Sequence, residues 1–521
     1  MNEGRKEPVG LSLVARGTGS RADPLEPDAP GALVRSVRNS SAPINRLPPE
    51  VLSLVPDYHG GPHADRDLIA LTHVCRYWRD TFTSRPSLWT QLTFTDIDKT
   101  NTYIERSKTS PLELCLSGGT VINDPFDLVT QNVSRLKSLT TQGKWEEIFH
   151  RIFLCDTLLL EKLDVYSTNP DHVLDGALLK RDLSSVRELR LCGIIAHVPW
   201  NNLENLQVIT LKICSPKYTV TQLLDLFESA PRLCTVELVS SIKSPSNAPP
   251  ERIVPLHHLK ALTIHTAQPS ILLGHLRIPV GVSLVLKLLL HGGEPPSLDY
   301  LLEGSPNFNN LSDITSVNLS CGIELKHIQL SGPNGSLHMT VVWKGVDFPW
   351  FTQDCQFLHW ALSHRISSAI QRLVVSTYTH LRPAKVEECP IFQMLSPMSN
   401  LRTLTLIDGE ILPFILALDP EQNPSNFMLC PNMETLDLCA YFWPMLGFGR
   451  LITMAKNRAS RGAKLLSVMF TNRGDCVRRE TLELREHVEH VDYRVGSPRP
   501  AWDGVPRGSV SGGRGWVWKR D

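Results

Sequence analysis

The sequence predicts an α/β fold: a short N-terminal helical module followed by a long, irregular solenoid in which short strands alternate with return segments. Three observations predict it. Apolar residues at helical spacing are concentrated within residues 44–89. Beyond them the pattern apolar-x-x-apolar-x-apolar recurs from Leu160 to Leu465. Both ends of the chain lack any apolar period.

Within the module, INRLPPEVL places Leu47 ahead of Pro48 and Pro49, then Glu50, Val51 and Leu52. Proline suits the first helical position because its missing N–H would be unpaired there anyway, so a short helix is expected to begin here with Leu47 outside it. In ALTHVCRYWRDTFTSRPSLW, residues Leu68, Leu71, Cys75, Trp78 and Phe82 alternate in steps of three and four. That is one face of a single helix of about four turns, closed by Pro86 and followed by the apolar anchor Leu88 and Trp89. Two short helices cannot bury one shared face alone, so the module is expected to dock on a partner.

The repeated pattern opens at Leu160, Val186, Leu206, Leu233, Leu259, Val285, Ile314, Ile370, Leu401, Met433 and Leu465, as in LEKLDV, VRELRL, VLKLLL and LRTLTL. Successive openings lie 20 to 32 residues apart, with one gap of 56 after Ile314. This L-x-x-L-x-L recurrence is the signature of a leucine-rich-repeat solenoid. The last two apolar residues of each unit alternate along a strand and point inward, and each return segment covers it so that neighbours share one core. TVTQLLDLFESAPRL reads as a complete return, with Thr221 as N-cap, Leu223, Leu224 and Phe227 on one face, and a stop at Pro231. The usual asparagine or cysteine beyond the final strand leucine is not kept from unit to unit: cysteine follows that leucine directly at Cys192 and Cys439, and three residues on, in LKIC, at Cys214. The repeat is therefore degenerate. Inside the long gap, LKHIQLSGPNGSLHMTVVW alternates on both sides of Gly332, Pro333, Asn334 and Gly335, which predicts a β-hairpin set into the solenoid. YIERSKTSPLELCLSG predicts a helix and a strand bearing Leu112, Leu114 and Leu116; RRETLELREHVEHVDYRV predicts a last helix and a capping strand with Val491, Tyr493 and Val495. Residues 1–43 and 496–521, rich in Gly, Pro, Ser and Arg, are expected to be disordered, leaving a module at 44–90 and an array at 91–495.

Charge and cysteine usage exclude several classes. Lys plus Arg equals Asp plus Glu at 53 each, so no basic field exists to hold nucleic acid. Twelve cysteines without a C-x-x-C point to reduced thiols in cytoplasm or nucleus rather than to zinc or a redox pair. The longest apolar run, residues 278–290, is interrupted by Lys287 and is too short to span a membrane.

Catalytic patterns are missing as well. HGGPHADRD offers His59, His63, Asp65 and Asp67, but at no ligand spacing; a polar connecting loop is the simpler reading, and no metal or cofactor is expected. GFG at residues 447–449 lacks the lysine-serine or lysine-threonine of a phosphate loop. Neither G-x-S-x-G nor H-E-x-x-H occurs. Cys75 beside His73 reads as a buried structural thiol. Trp516 and Trp518 with Lys519 and Arg520 could stack on a base or a groove, but a short tail in a neutral chain reads as unstructured.

LPPEVL followed by VCRYWR and PSLW resembles an F-box in the form common in fungal proteins. The resemblance implies a non-catalytic substrate-recognition subunit. The module would bind the Skp-type adaptor of a cullin–RING (SCF-type) ubiquitin ligase, and the repeats would hold an unidentified protein substrate. The adaptor contacts it implies are Leu47, Pro48, Pro49, Val51, Leu52, Val74 and Trp78. A leucine-rich-repeat binding scaffold with no ligase partner is the alternative. One departure stands out: where the family continues with apolar and aromatic residues, this chain has Pro56 after Val55. The first helix is therefore expected to stop early and adaptor binding to be weaker than usual.

Overall fold

The structure, a computed structural model, describes residues 34, 37–55, 64–93, 97–117, 130–143, 160–167, 173–174, 183–193, 195–196, 203–214, 217–243, 252–266, 268–290, 314–321, 325–333, 335–343, 368–377, 390–407, 411–422, 427–439, 445–471 and 478–494. The chain divides into two compact units, residues 1–92 with 96–112, and residues 93–95 with 113–521. The two tails, apart from the stretch near residues 34–43, and the hairpin's Asn334 lie outside the described residues, as do Pro56, His59, His63, Val495 and the C-terminal tryptophans.

The first unit is helical. Helix α1 spans Pro49–Leu52, with Pro48 as N-cap and Pro49 at its first position, and turns at Ser53 and Leu54. The single helix expected over Leu68 to Phe82 is instead two, α2 (Ala64–Thr72) and α3 (Arg76–Thr83), broken at His73, Val74 and Cys75. The reason is local. Thr72, His73, Val74 and Cys75 are all weak helix formers in succession, and Arg79 Nε donates to the carbonyl of Thr72, closing the end of α2. The break lets Trp78 and Phe82, edge to face at 5.7 Å, form a core with Leu52. A 3-10 turn, Pro86–Trp89, and α4 (Ile97–Ser107) complete the unit. Trp89 is fully buried, donates Nε1 to the carbonyl of Phe82, packs against Tyr103 and lies under the Arg106 guanidinium.

The second unit is a ladder of strands: β1 (Leu112–Ser117), β2 (Leu136–Gln142), β3 (Lys162–Tyr166), β4 (Glu188–Cys192), β5 (Val208–Lys212), β6 (Thr235–Val239), β7 (Ala261–His265), β8 (Ser283–Leu290), β9 (Ser316–Cys321), β10 (Leu325–Gly332), β11 (Gly335–Trp343), β12 (Arg372–Thr377), β13 (Thr403–Ile407), β14 (Thr435–Cys439), β15 (Ser467–Thr471) and β16 (His490–Arg494). From β2 to β8 each strand pairs parallel to the next, and so do β12 to β16.

Between these runs the order reverses. β8 pairs parallel with β11, β11 antiparallel with β10, β10 antiparallel with β9, and β9 parallel with β12. The expected hairpin is therefore β10–β11, and with β9 it forms a three-strand meander laid in backwards. Two inward columns of apolar residues nevertheless pass through without a break. One runs Leu284, Leu337, Leu330, Val317, Leu373; the other runs Leu286, Met339, Ile328, Leu319, Val375. All ten are buried.

Strand alternation places the predicted pairs inward, as at Leu189 and Leu191 or Leu404 and Leu406. One repeat is corrected. In VLKLLL the column residues are Leu284 and Leu286, not the Leu288 and Leu290 that an opening at Val285 requires. The run SLVLKLLL alternates over the eight residues of β8, so the pattern fits at more than one phase. A second correction concerns α5 (Val220–Ser229): Thr219, not Thr221, is the N-cap, in a reciprocal capping box with Gln222. Leu223, Leu224 and Phe227 are buried as expected.

Returns are stitched by a device the repeat pattern does not announce. Asn205, Asn400 and Asn432 stand directly before three openings, and each side-chain amide donates to a carbonyl of the preceding unit, at Ser184, Ser368 and Ser399. Further along, Arg458 of α6 (Met445–Ser460) is wholly buried and donates to the carbonyls of Leu429 and Cys430, 2.8 Å each.

Candidate functional site

In the first unit the segment before α1 is fixed by two long-range hydrogen bonds from α3. The Tyr77 hydroxyl donates to the carbonyl of Leu47 at 2.7 Å, and Trp78 Nε1 donates to Oδ1 of Asn45. Asn45 in turn gives its amide N–H to the carbonyl of Asn39. A buried indole needs an acceptor; Asn45 supplies it and thereby sets where the Leu47-Pro48-Pro49 turn sits.

The seven residues implied as adaptor contacts fall into two groups. Leu47, Val51 and Val74 are 36%, 46% and 54% exposed, and Pro48 and Pro49 are exposed too. Leu52 and Trp78 are 0% and 6% exposed and form the core with Phe82. Both are packed inside the unit. Leu54, 45% exposed, adds an apolar residue that the reading of the sequence did not single out. Asn45 and Tyr77 were missed as positioning residues. The signal was present in the demand of a buried Trp and a half-buried Tyr for polar partners, but sequence does not say which acceptor folds back.

Residues 44–95 match the F-box-like family model. The N-terminal helices thus form an F-box-like domain, and the exposed Leu47, Pro48, Pro49, Val51, Leu54 and Val74 all belong to it. No curated protein matches the chain. F-box-like domains are, in general, adaptor-binding and non-catalytic.

Elsewhere the described side chains offer little chemistry. Burial pushes the thiol of Cys192 up to about 11 and those of Cys214 and Cys430 up to about 12, which suppresses the thiolate. Cys75 is free and partly exposed at the N-cap of α3 rather than buried on a helix face. Among the described residues no group of three or more His, Cys, Asp or Glu could hold a metal ion, and no helix is long and apolar enough to cross a membrane. The loop histidines His59 and His63 lie outside the described residues, and GFG falls within α6.

Proposed function

We propose that this chain is the substrate-recognition subunit of a cullin–RING ubiquitin ligase. Its F-box-like domain engages a Skp-type adaptor, which links it to the cullin, and its strand ladder, read as a degenerate leucine-rich-repeat solenoid, holds a protein substrate without chemistry of its own. The observation that carries this is the exposure of Leu47, Val51 and Val74 in a family-matched domain whose own core is already closed by Leu52, Trp78 and Phe82. Apolar side chains left in water on a small unit gain about 25 cal/mol per Å2 when a partner covers them. Such an assembly works in the cytoplasm or nucleus.

The test is co-purification with a Skp-type adaptor. Wild type should capture it, and Val51→Asp and Val74→Asp, both at exposed positions that leave the core untouched, should not. Capture unaffected by both substitutions would place the interface elsewhere. No capture by the wild type would leave a repeat scaffold with no ligase partner. Since α1 ends at Leu52, the docking helix is short, and adaptor affinity below that of longer F-box helices is part of the proposal.

A further inference from the structure

Cations on the outward face of the ladder are paired with carboxylates from β3 to β6. Asp164 lies 3.4 Å from Nζ of Lys162 and 3.8 Å from Nε of Arg190, and Lys212 meets Glu237 at 2.7 Å. The next four strands in space break this pattern. One register row reads His265 on β7, Lys287 on β8, Thr340 on β11 and His327 on β10. His338 stands two residues before Thr340 on the same face of β11, between the inward Leu337 and Met339. No carboxylate pairs with Lys287 among the described residues. His327 Nδ1 is 3.0 Å from Thr340 Oγ1, and the rings of His327 and His338 are 6.1 Å apart. Nε2 of His338 is withdrawn from water without a hydrogen-bond partner among the described residues, so the ring has to turn before that nitrogen can meet an arriving acceptor.

We propose that this row binds an acidic segment of a protein partner, Lys287 supplying the fixed cation and His265, His327 and His338 the surrounding N–H donors. The proposal rests on the reading of the ladder as the recognition part of the chain, and names the chemistry it recognises. Three strand spacings make the row about 14 Å long, the span of about four residues of extended chain. A single lysine in a chain of zero net charge does not make the electrostatic footprint of a nucleic acid.

The site is linked to protons. Burial holds all three histidines below their usual range; Lys287 pushes His265 and His327 further down, as does His338 for His327 and Lys212 for His265, while Glu237 alone pulls His265 up. A carboxylate placed among them favours the imidazolium. Binding therefore takes up protons and tightens as pH falls.

The experiment uses the full chain and a fluorescent octaglutamate peptide, with octaglutamine as control, by anisotropy at about pH 7.5 and about pH 6. Octaglutamate should bind and octaglutamine should not. Lys287→Gln should weaken binding about tenfold or more, Lys212→Gln should change it little, and His327→Gln with His338→Gln should flatten the pH dependence. Equal binding by Lys287→Gln, equal binding of octaglutamine, or no binding by wild type would overturn the proposal. Displacement of the peptide by stoichiometric inorganic phosphate would reassign the row to a free anion. Adaptor capture is measured on the same preparations: captured adaptor with no peptide binding sinks this site alone, and peptide binding without adaptor sinks the ligase reading alone.

Discussion

Trp78 donates its indole N–H to the side-chain oxygen of Asn45 across 33 residues of sequence. This one bond couples the core of the F-box-like domain to the turn that displays Leu47 and the two prolines, because the acceptor sits two residues before Leu47 while the donor's ring lies against Phe82.

Asn45→Leu should therefore cost about 1–3 kcal/mol, the penalty for leaving a buried donor unpaired. Hydrogen exchange along α3 would read the loss as faster opening. Adding Trp78→Phe, which removes the orphaned N–H, should recover part of it, and a strictly additive double mutant would argue that the bond is not formed.

Gly193 and Ile213 hold equivalent places, each directly after a ladder strand and each at positive φ, +66° and +53°. Their substitutions should move stability in opposite directions. A Cβ at Gly193 would run into the carbonyl oxygen of Ser167, so Gly193→Ala should lower the thermal midpoint. Ile213 is a β-branched residue, 65% exposed, in the left-handed region; Ile213→Gly should stabilise by about 1 kcal/mol by releasing strain at little loss of burial. Thermal melts of the two variants check both signs.

Leu404 lies fully buried in β13 with Leu373 on one side and Leu436 on the other. Leu404→Ala should cost about 2–5 kcal/mol, and exchange protection should fall first in β12 and β14, with the far strands β2 and β3 last, because a nearest-neighbour ladder passes the loss on step by step. Uniform loss of protection across the ladder would contradict a solenoid.

Acid should weaken the ladder. His265, His327 and His338 have folded pKa values below the usual 6.5, so the native state binds fewer protons than the unfolded chain. Their contribution is complete above about 6.5 and is lost as pH falls towards the folded values. His338→Gln should make the decline between about pH 6.5 and 5 shallower. Asp164 acts in the opposite sense: burial raises its pKa against the pull of Lys162 and Arg190, so its ionised form costs stability at neutral pH. Asp164→Asn should leave the unfolding midpoint at pH 7 unchanged or higher, which denaturation at that pH would show.

Legibility in the sequence followed the period of the pattern. The inward strand residues were readable because the same apolar-x-x-apolar-x-apolar spacing recurs within unit after unit, as with Leu189 and Leu191. So was the F-box-like segment, where Pro49 marks a helix start and Trp78 and Phe82 share a face. The helix break at His73–Cys75 was not read, because apolar steps of three and four continue across it while propensity fails locally. The reversed order of β9, β10 and β11 was hidden too: strand pattern tells inward from outward but not which edge a strand joins. The row of His265, Lys287, His327 and His338 is assembled by register alone, from residues up to 73 positions apart (338 minus 265).

The backward meander also bears on how the chain folds. Gly332 and Gly335 face each other three residues apart, whereas Leu163 meets Leu189 only after 26. Closing the longer loop costs about 2 kcal/mol more in chain entropy. The least expensive pairing thus lies in the middle of the array, and it presents one parallel-ready strand to each arm, β11 towards β8 and β9 towards β12. Loop entropy therefore favours starting the ladder there and elongating both arms outward, a start that becomes available during synthesis only after β1 to β8 have been made.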